Sequence, residues 1–218
     1  IRREPLALRP GVRLGPYEII DSVGAGGMGE VFRARDTRLG RDVAVKILAA
    51  AHAGDPDSVR RFEKEARAVA SLSHPNVVPL FDVGEQSGLR FAVSEYVEGE
   101  TLRARLKRGA LPPGEAAEIA AQIAEGLAAA HKKGLVHRDI KPENVMMTVE
   151  GQVKLMDFGI AKDLGKSSMT MTGTFMGSPS YMSPEQIRGR DVDLRSDLYS
   201  LSVLFYEIVT GRLPFTGQ

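Results

Sequence analysis

His137-Arg138-Asp139-Ile140-Lys141-Pro142-Glu143-Asn144, followed after a short hairpin by Asp157-Phe158-Gly159, decides how the rest of the chain is read. A carboxylate, an ammonium group and two hard oxygen donors come together in one short neighbourhood. Asp139 can orient a hydroxyl nucleophile, and Asn144 and Asp157 can ligate a small divalent cation. Lys141 can hold a migrating phosphoryl group. Phosphoryl transfer passes through a loose transition state, so positioning and charge neutralisation matter more than strong base chemistry. Alone, Asp139 would pass for an ordinary loop aspartate; beside Lys141 and Asn144 that reading loses its force.

Working outward, Gly24-Ala25-Gly26-Gly27-Met28-Gly29-Glu30-Val31 fits the pattern G-x-G-x-x-G-x-V. Residues without side chains let backbone N–H groups approach phosphate oxygens. A flexible hairpin turn explains such a run equally well. A strand follows it here, whereas the dinucleotide-binding version needs a helix directly after the glycines. Val43-Ala44-Val45-Lys46 reads as a strand, with Ala44 and Lys46 on one face and Val43, Val45 and Ile47 on the other. In the helix expected from about Asp57 to Ser71, Glu65 falls within the inward stripe of Phe62, Ala66 and Val69. An inward carboxylate is costly unless paired, and Lys46 is its natural partner.

Together these motifs resemble a Hanks-type, eukaryotic-like serine/threonine protein kinase of the kind bacteria carry, in register from about Tyr17 to the last residue. The resemblance implies that Lys46, held by Glu65, meets the α- and β-phosphates of ATP. It implies that Val23, Val31, Ala44 and Met146 enclose the adenine, and that Glu95-Tyr96-Val97 forms a hinge whose backbone meets the adenine edge. Asn144 and Asp157 would hold Mg²⁺, with Mn²⁺ as the alternative ion. A lysine two positions after the aspartate resembles the Ser/Thr-specific pattern. The stretch from Asp157 to Ser183-Pro184-Glu185 resembles an activation loop, with autophosphorylation expected at Thr172, then Thr170, then Thr174. Phe158 would stack with His137, Val69 and Leu80. Asp197 reads as a helix N-cap, and the resemblance adds an anchoring role on the His137-Arg138-Asp139 loop. His131 and His74 read as structural.

The implied fold is α+β and bilobal. Residues 1–16 form a tail; 17–98 an N-lobe with an antiparallel sheet and one helix; 99–218 a mostly helical C-lobe that stops after a helix, Leu198–Val209, read as buried nearly all round. Ser94 falls where the pocket behind the adenine is gated. Glu185 is expected without the arginine that later helices usually supply.

Composition is compatible with this and narrows the partners. With 218 residues, 43% of them hydrophobic, the chain can bury one sizeable core or two small ones. A net charge of +1, from 29 basic and 28 acidic residues, gives no electrostatic case for nucleic acid. The absence of cysteine removes disulfides and thiolate metal sites and fits a cytoplasmic setting. No apolar run reaches the ~18–20 residues of a membrane helix, though a tether outside this stretch is compatible with the sequence. Protein substrates bearing Ser or Thr hydroxyls are the expected partners, together with self-association for trans-autophosphorylation in bacterial signalling. Against the transferase stand two alternatives: a silent pseudokinase scaffold, and a small-molecule kinase such as an aminoglycoside phosphotransferase. Retention of Lys46, Asp139 and Asp157 argues against the first, and the activation-loop features against the second.

Overall fold

The computed structural model describes residues 8–26, 29–48, 65–158 and 179–215. The chain divides into two compact units, one made of Ile1–Gly54 with Leu80–Tyr96 and the other of Asp55–Pro79 with Val97–Gln218.

The first unit is a six-stranded antiparallel sheet in the order β1-β2-β3-β4-β6-β5. Its strands are β1 (Arg13–Leu14), β2 (Tyr17–Gly26), β3 (Gly29–Asp36), β4 (Arg41–Leu48), β5 (Leu80–Gln86) and β6 (Leu89–Glu95). Alternation sets one face inward: Leu14, Tyr17, Ile19, Phe32, Ala34, Val43, Val45, Phe91 and Val93 form its core, with Ile47 packed against it. Val43 and Val45 are buried while Ala44 and Lys46 are half-buried, as the period of two requires. The glycine-rich run closes the β2–β3 hairpin, with Gly26 opposite Gly29. Gly29 has φ of 121°, and a Cβ there would stand 2.0 Å from the Ile47 carbonyl oxygen, so strand packing alone demands glycine at this position.

In the second unit the described residues start with helical residues 65–70, α1, in which Ala66 and Val69 are buried. Phe62 and Lys64 lie outside the described residues. A three-stranded sheet follows, β7 (Gly99–Thr101), β8 (Val145–Thr148) and β9 (Val153–Leu155), in sequence order. The stretch at Val77 lies along β9: Val77 bridges Leu155 in parallel, and Val78 N–H donates to the Leu155 carbonyl at 2.9 Å. Buried Asn76 fixes it there, donating to the Val153 carbonyl at 2.8 Å and to Gln122 Oε1 at 3.0 Å. Gly126 permits the approach, since a Cβ would sit 2.9 Å from the Asn76 carbonyl oxygen.

The helices of this unit are α2 (Leu102–Leu106), α3 (Pro113–His131), α4 (Pro184–Ile187) and α5 (Leu194–Thr210). Thr101 caps α2 through its Oγ1, which accepts from Ala104 N–H at 3.1 Å. In α3 the i, i+4, i+8 stripe of Ile119, Ile123 and Leu127 is buried, and Pro sits in the first turn where a missing N–H costs nothing. α5 is not buried all round. Its buried residues are Ser196, Asp197, Ser200, Val203, Leu204, Glu207 and Ile208, while Leu194, Leu198, Phe205 and Tyr206 are exposed among the described residues. Hydropathy misplaced this face because polar side chains on it serve the loops they hold. Gly211, at φ of 72°, ends the helix in the left-handed conformation.

Candidate active site

The loop between α3 and β8 carries the site. Its backbone turns through Arg138 at φ of 66°, a region a side chain adopts only when its surroundings enforce it. The enforcement comes from α5. Asp197 Oδ2 accepts from His137 N–H at 2.8 Å and Oδ1 from Arg138 N–H at 2.8 Å. The same Oδ2 lies 2.8 Å from His131 Nε2. Asp197 is therefore the anchor of the loop and not the helix cap. The cap is Asp193, whose Oδ1 accepts from Arg195 N–H at 2.8 Å. His131 is structural, as expected. His74 Nδ1 accepts from Asn76 N–H at 3.2 Å, a local turn contact.

Asp139 is half-buried and its Oδ2 is shared. Asn144 Nδ2 donates to it at 2.9 Å, and Lys141 Nζ lies 3.0 Å away. Asn144 Nδ2 also donates to the Asp139 carbonyl at 2.8 Å, so a single amide nitrogen locks both the backbone and the side chain of that residue. With its nitrogen committed, the buried Asn144 presents its amide oxygen as a hard donor. Met156 N–H donates to the Asn144 carbonyl at 2.9 Å, which seats Asp157 beside Asn144. Asp157 is exposed at φ of 57°, while Phe158 turns inward and is buried. Its ring meets that of His137 at 4.5 Å between centroids. His137 is fully buried, and burial pushes its imidazole below the ordinary histidine value. It stays neutral, donating from Nε2 to the Met156 carbonyl at 2.8 Å and accepting from Asp139 N–H at Nδ1 at 3.3 Å.

Asn144 and Asp157 fit a cation that takes oxygen ligands. Among the described residues no three of His, Cys, Asp and Glu converge on a metal site. Two protein ligands completed by substrate phosphates are what magnesium characteristically uses.

The remaining predicted residues are placed unit by unit. Val23, Gly24, Val31, Ala44, Lys46 and Glu95 belong to the first unit. Val23 is exposed at the β2 end, and Val31 pairs with Lys46 across β3 and β4. Ala44 pairs with Ser94, and Val43 with Glu95. Ala25 and Gly26 lie in β2, whereas Gly27 and Met28 fall outside the described residues. Glu65, Val97 and Met146 belong to the second unit, Met146 paired with Thr101 and Lys154. Thr170, Thr172 and Thr174 lie outside the described residues.

Sequence reasoning missed a partly buried polar network. Arg103 of α2 donates from Nε to Glu143 Oε1 at 2.7 Å, from Nη1 to Glu207 Oε1 at 2.8 Å and from Nη2 to the Tyr181 hydroxyl at 2.5 Å. The Tyr181 hydroxyl in turn donates to Glu207 Oε2. Burial, then the bond to Glu207, pushes the Tyr181 phenol above its ordinary value. Nearby, Ser196 donates its hydroxyl to Glu185, and that bond holds the Glu185 carboxyl below the usual range. The carboxylate expected to lack a partner has found a hydroxyl.

These features are those of a phosphotransferase domain, and comparison with known proteins assigns the class. The family model described as protein kinase domain matches residues 17–218. The chain belongs to that family. It is 50% identical over 203 residues to a probable serine/threonine-protein kinase of Clostridium perfringens, covering 93% of this chain and 30% of that protein. It is 48% identical to serine/threonine-protein kinase PknB of Mycobacterium leprae (93% of this chain, 33% of PknB) and 44% identical to PrkC of Bacillus subtilis (94% and 32%). The crystal structure of the PknI kinase domain of Mycobacterium tuberculosis superposes with a TM-score of 0.80 at 33% identity, covering 97% of this chain and 80% of that one. The chain thus spans about a third of the length of these curated relatives. Kinase domains of this family act on ATP with a divalent cation.

Proposed function

We propose that this domain transfers the γ-phosphoryl group of ATP to serine or threonine hydroxyls of proteins, its own activation loop among them. The observation that carries the reading is Asp139, fixed by Asn144 and Lys141 in a loop whose backbone Asp197 holds in place. Asp139 orients the acceptor hydroxyl and receives its proton as the new bond forms. Lys141, beside that carboxylate, holds charge developing on the transferred group. Asn144 and Asp157 would hold the divalent ion, read as Mg²⁺, which would supply neutralisation of the phosphate charge. In the first unit Gly24 to Gly29 receive the phosphates and Lys46 the α- and β-phosphates, with Glu65 assigned as its counter-charge. Val23, Val31, Ala44 and Met146 contact the adenine, and Glu95 and Val97 meet its edge through their backbone. Thr172, Thr170 and Thr174 are the autophosphorylation sites, in that order, with self-association delivering one copy's loop to another. Action in the cytoplasm accords with the chemistry, and no described helix is long and apolar enough to cross a membrane.

Incubation of the full chain with γ-labelled ATP and Mg²⁺ should label wild type. Asp139→Asn should lower incorporation by roughly a hundredfold or more, the general scale for losing a positioned proton acceptor. Nucleotide binding by wild type with no transfer to any acceptor would instead establish a scaffold.

A further inference from the structure

The left-handed turn at Arg138 is held at both of its backbone groups. Its N–H belongs to Asp197, as above. Its carbonyl accepts from Gln186 Nε2 of α4 at 2.9 Å. Gln186 has a second task at the same time. Ser183 is the N-cap of α4, and the two residues form a capping box: Ser183 N–H donates to Gln186 Oε1 at 2.9 Å, and Gln186 N–H to Ser183 Oγ at 3.4 Å. One side-chain amide thus spends its oxygen on the helix start and its nitrogen on the loop.

The two tasks differ in what they demand. A capping box is served equally by glutamate or glutamine, since only an acceptor oxygen is required. Glutamate would even interact better with the helix N-terminus. The bond to the Arg138 carbonyl requires a donor, which only the amide supplies. The capping task leaves glutamate and glutamine interchangeable; the loop contact does not.

We propose that Gln186 is a positioning residue for the transfer reaction. It holds the Arg138–Asp139 peptide so that the Asp139 carboxylate stays on Asn144 and Lys141, and it ties the helix start at Ser183 to the loop that performs the chemistry. The inference rests on the reading of Asp139 given above. The carbonyl of a residue in a sparsely populated conformation is the group whose release most easily lets the turn relax. Relaxation there displaces the next residue, Asp139.

Gln186→Glu separates the tasks, because it keeps the cap acceptor and removes the donor. In the full chain we expect an unchanged or slightly raised thermal midpoint, an unchanged KM for ATP and a kcat lowered roughly tenfold, the scale of a small misplacement of a reacting group. Amide hydrogen exchange at Arg138 and Asp139 should quicken without nucleotide present. Gln186→Met, which has no donor and only a weak thioether acceptor, should show the same loss of kcat together with a lowered midpoint. Wild-type kcat and wild-type exchange in Gln186→Glu would overturn the proposal. Should that variant fold poorly, unaltered exchange at Arg138 and Asp139 in Gln186→Met overturns it equally. If wild type transfers no phosphoryl group at all, the functional reading falls, and the exchange measurement still decides whether Gln186 holds the turn.

Discussion

Asp197 accepts from the backbone N–H groups of His137 and Arg138, and from the imidazole of His131. Orphaning a buried donor costs about 1–3 kcal/mol. Asp197→Ala leaves two, and is expected to lower unfolding stability by roughly 3 kcal/mol or more in a urea titration. A loss under about 1 kcal/mol would mean that water replaces the carboxylate and that the anchor is dispensable. Asp197→Asn separates charge from geometry, since one oxygen still accepts while the other becomes a donor facing an N–H. Its cost should fall close to that of the alanine variant. The sequence carried both of this residue's readings, cap and anchor, and could not choose, because a cap is recognised by where the helix starts. The helix starts earlier than its apolar run, at Leu194, which gives the cap to Asp193.

At the scale of elements, α5 shows why pattern and burial part company. Its inward face carries Ser196, Asp197, Ser200 and Glu207, each engaged with a loop or a neighbouring element. Glu207 is nearly buried, and Arg103, its cation, is about a third exposed. Removing one partner of such a pair strands the other, so Arg103→Met is expected to cost about 3 kcal/mol, near the low end for buried pairs because Arg103 still meets water. Tyr181→Phe deletes the hydroxyl's two hydrogen bonds, from Arg103 and to Glu207, but leaves that charge pair in place, and should cost about 1–2 kcal/mol. Equal costs for the two, by chemical denaturation, would contradict the central place given to Arg103. None of this network was legible in advance, for its members lie 40, 78 and 104 residues from Arg103. The strands of the first unit from β2 onward and α3 were legible, since alternation and an i, i+4 stripe are local signals. β1, two residues long, lies in the stretch read as a tail, and its pairing with β2 and the burial of Leu14 correct that reading. β7 and α2, three and five residues long, are too short to show any period. The motif around Asp139 was legible in composition, whereas the hydrogen bonds that shape it were not.

At the scale of the whole molecule, the buried neutral His137 links stability to pH. Its folded pKa lies below the ordinary 6.5, so on acidification the unfolded chain takes up a proton that the folded one refuses. This contribution is constant above about 6.5 and is lost progressively as pH falls from there toward the folded value. Thermal midpoints from pH 7.5 down to about 5 should therefore decline, and His137→Phe should decline less steeply, whatever its starting midpoint. Parallel slopes would assign the acid sensitivity to other groups. The shape of the Asp139 loop is likewise not its own property: the carbonyl and amide of Arg138 are held from α4 and α5, which follow it in the chain. A synthetic peptide spanning 137–144 should wander freely in solution, and transplanting those eight letters into a foreign scaffold would deliver the functional groups without their posture. Any successful graft has to bring along the glutamine and the aspartate that sit downstream.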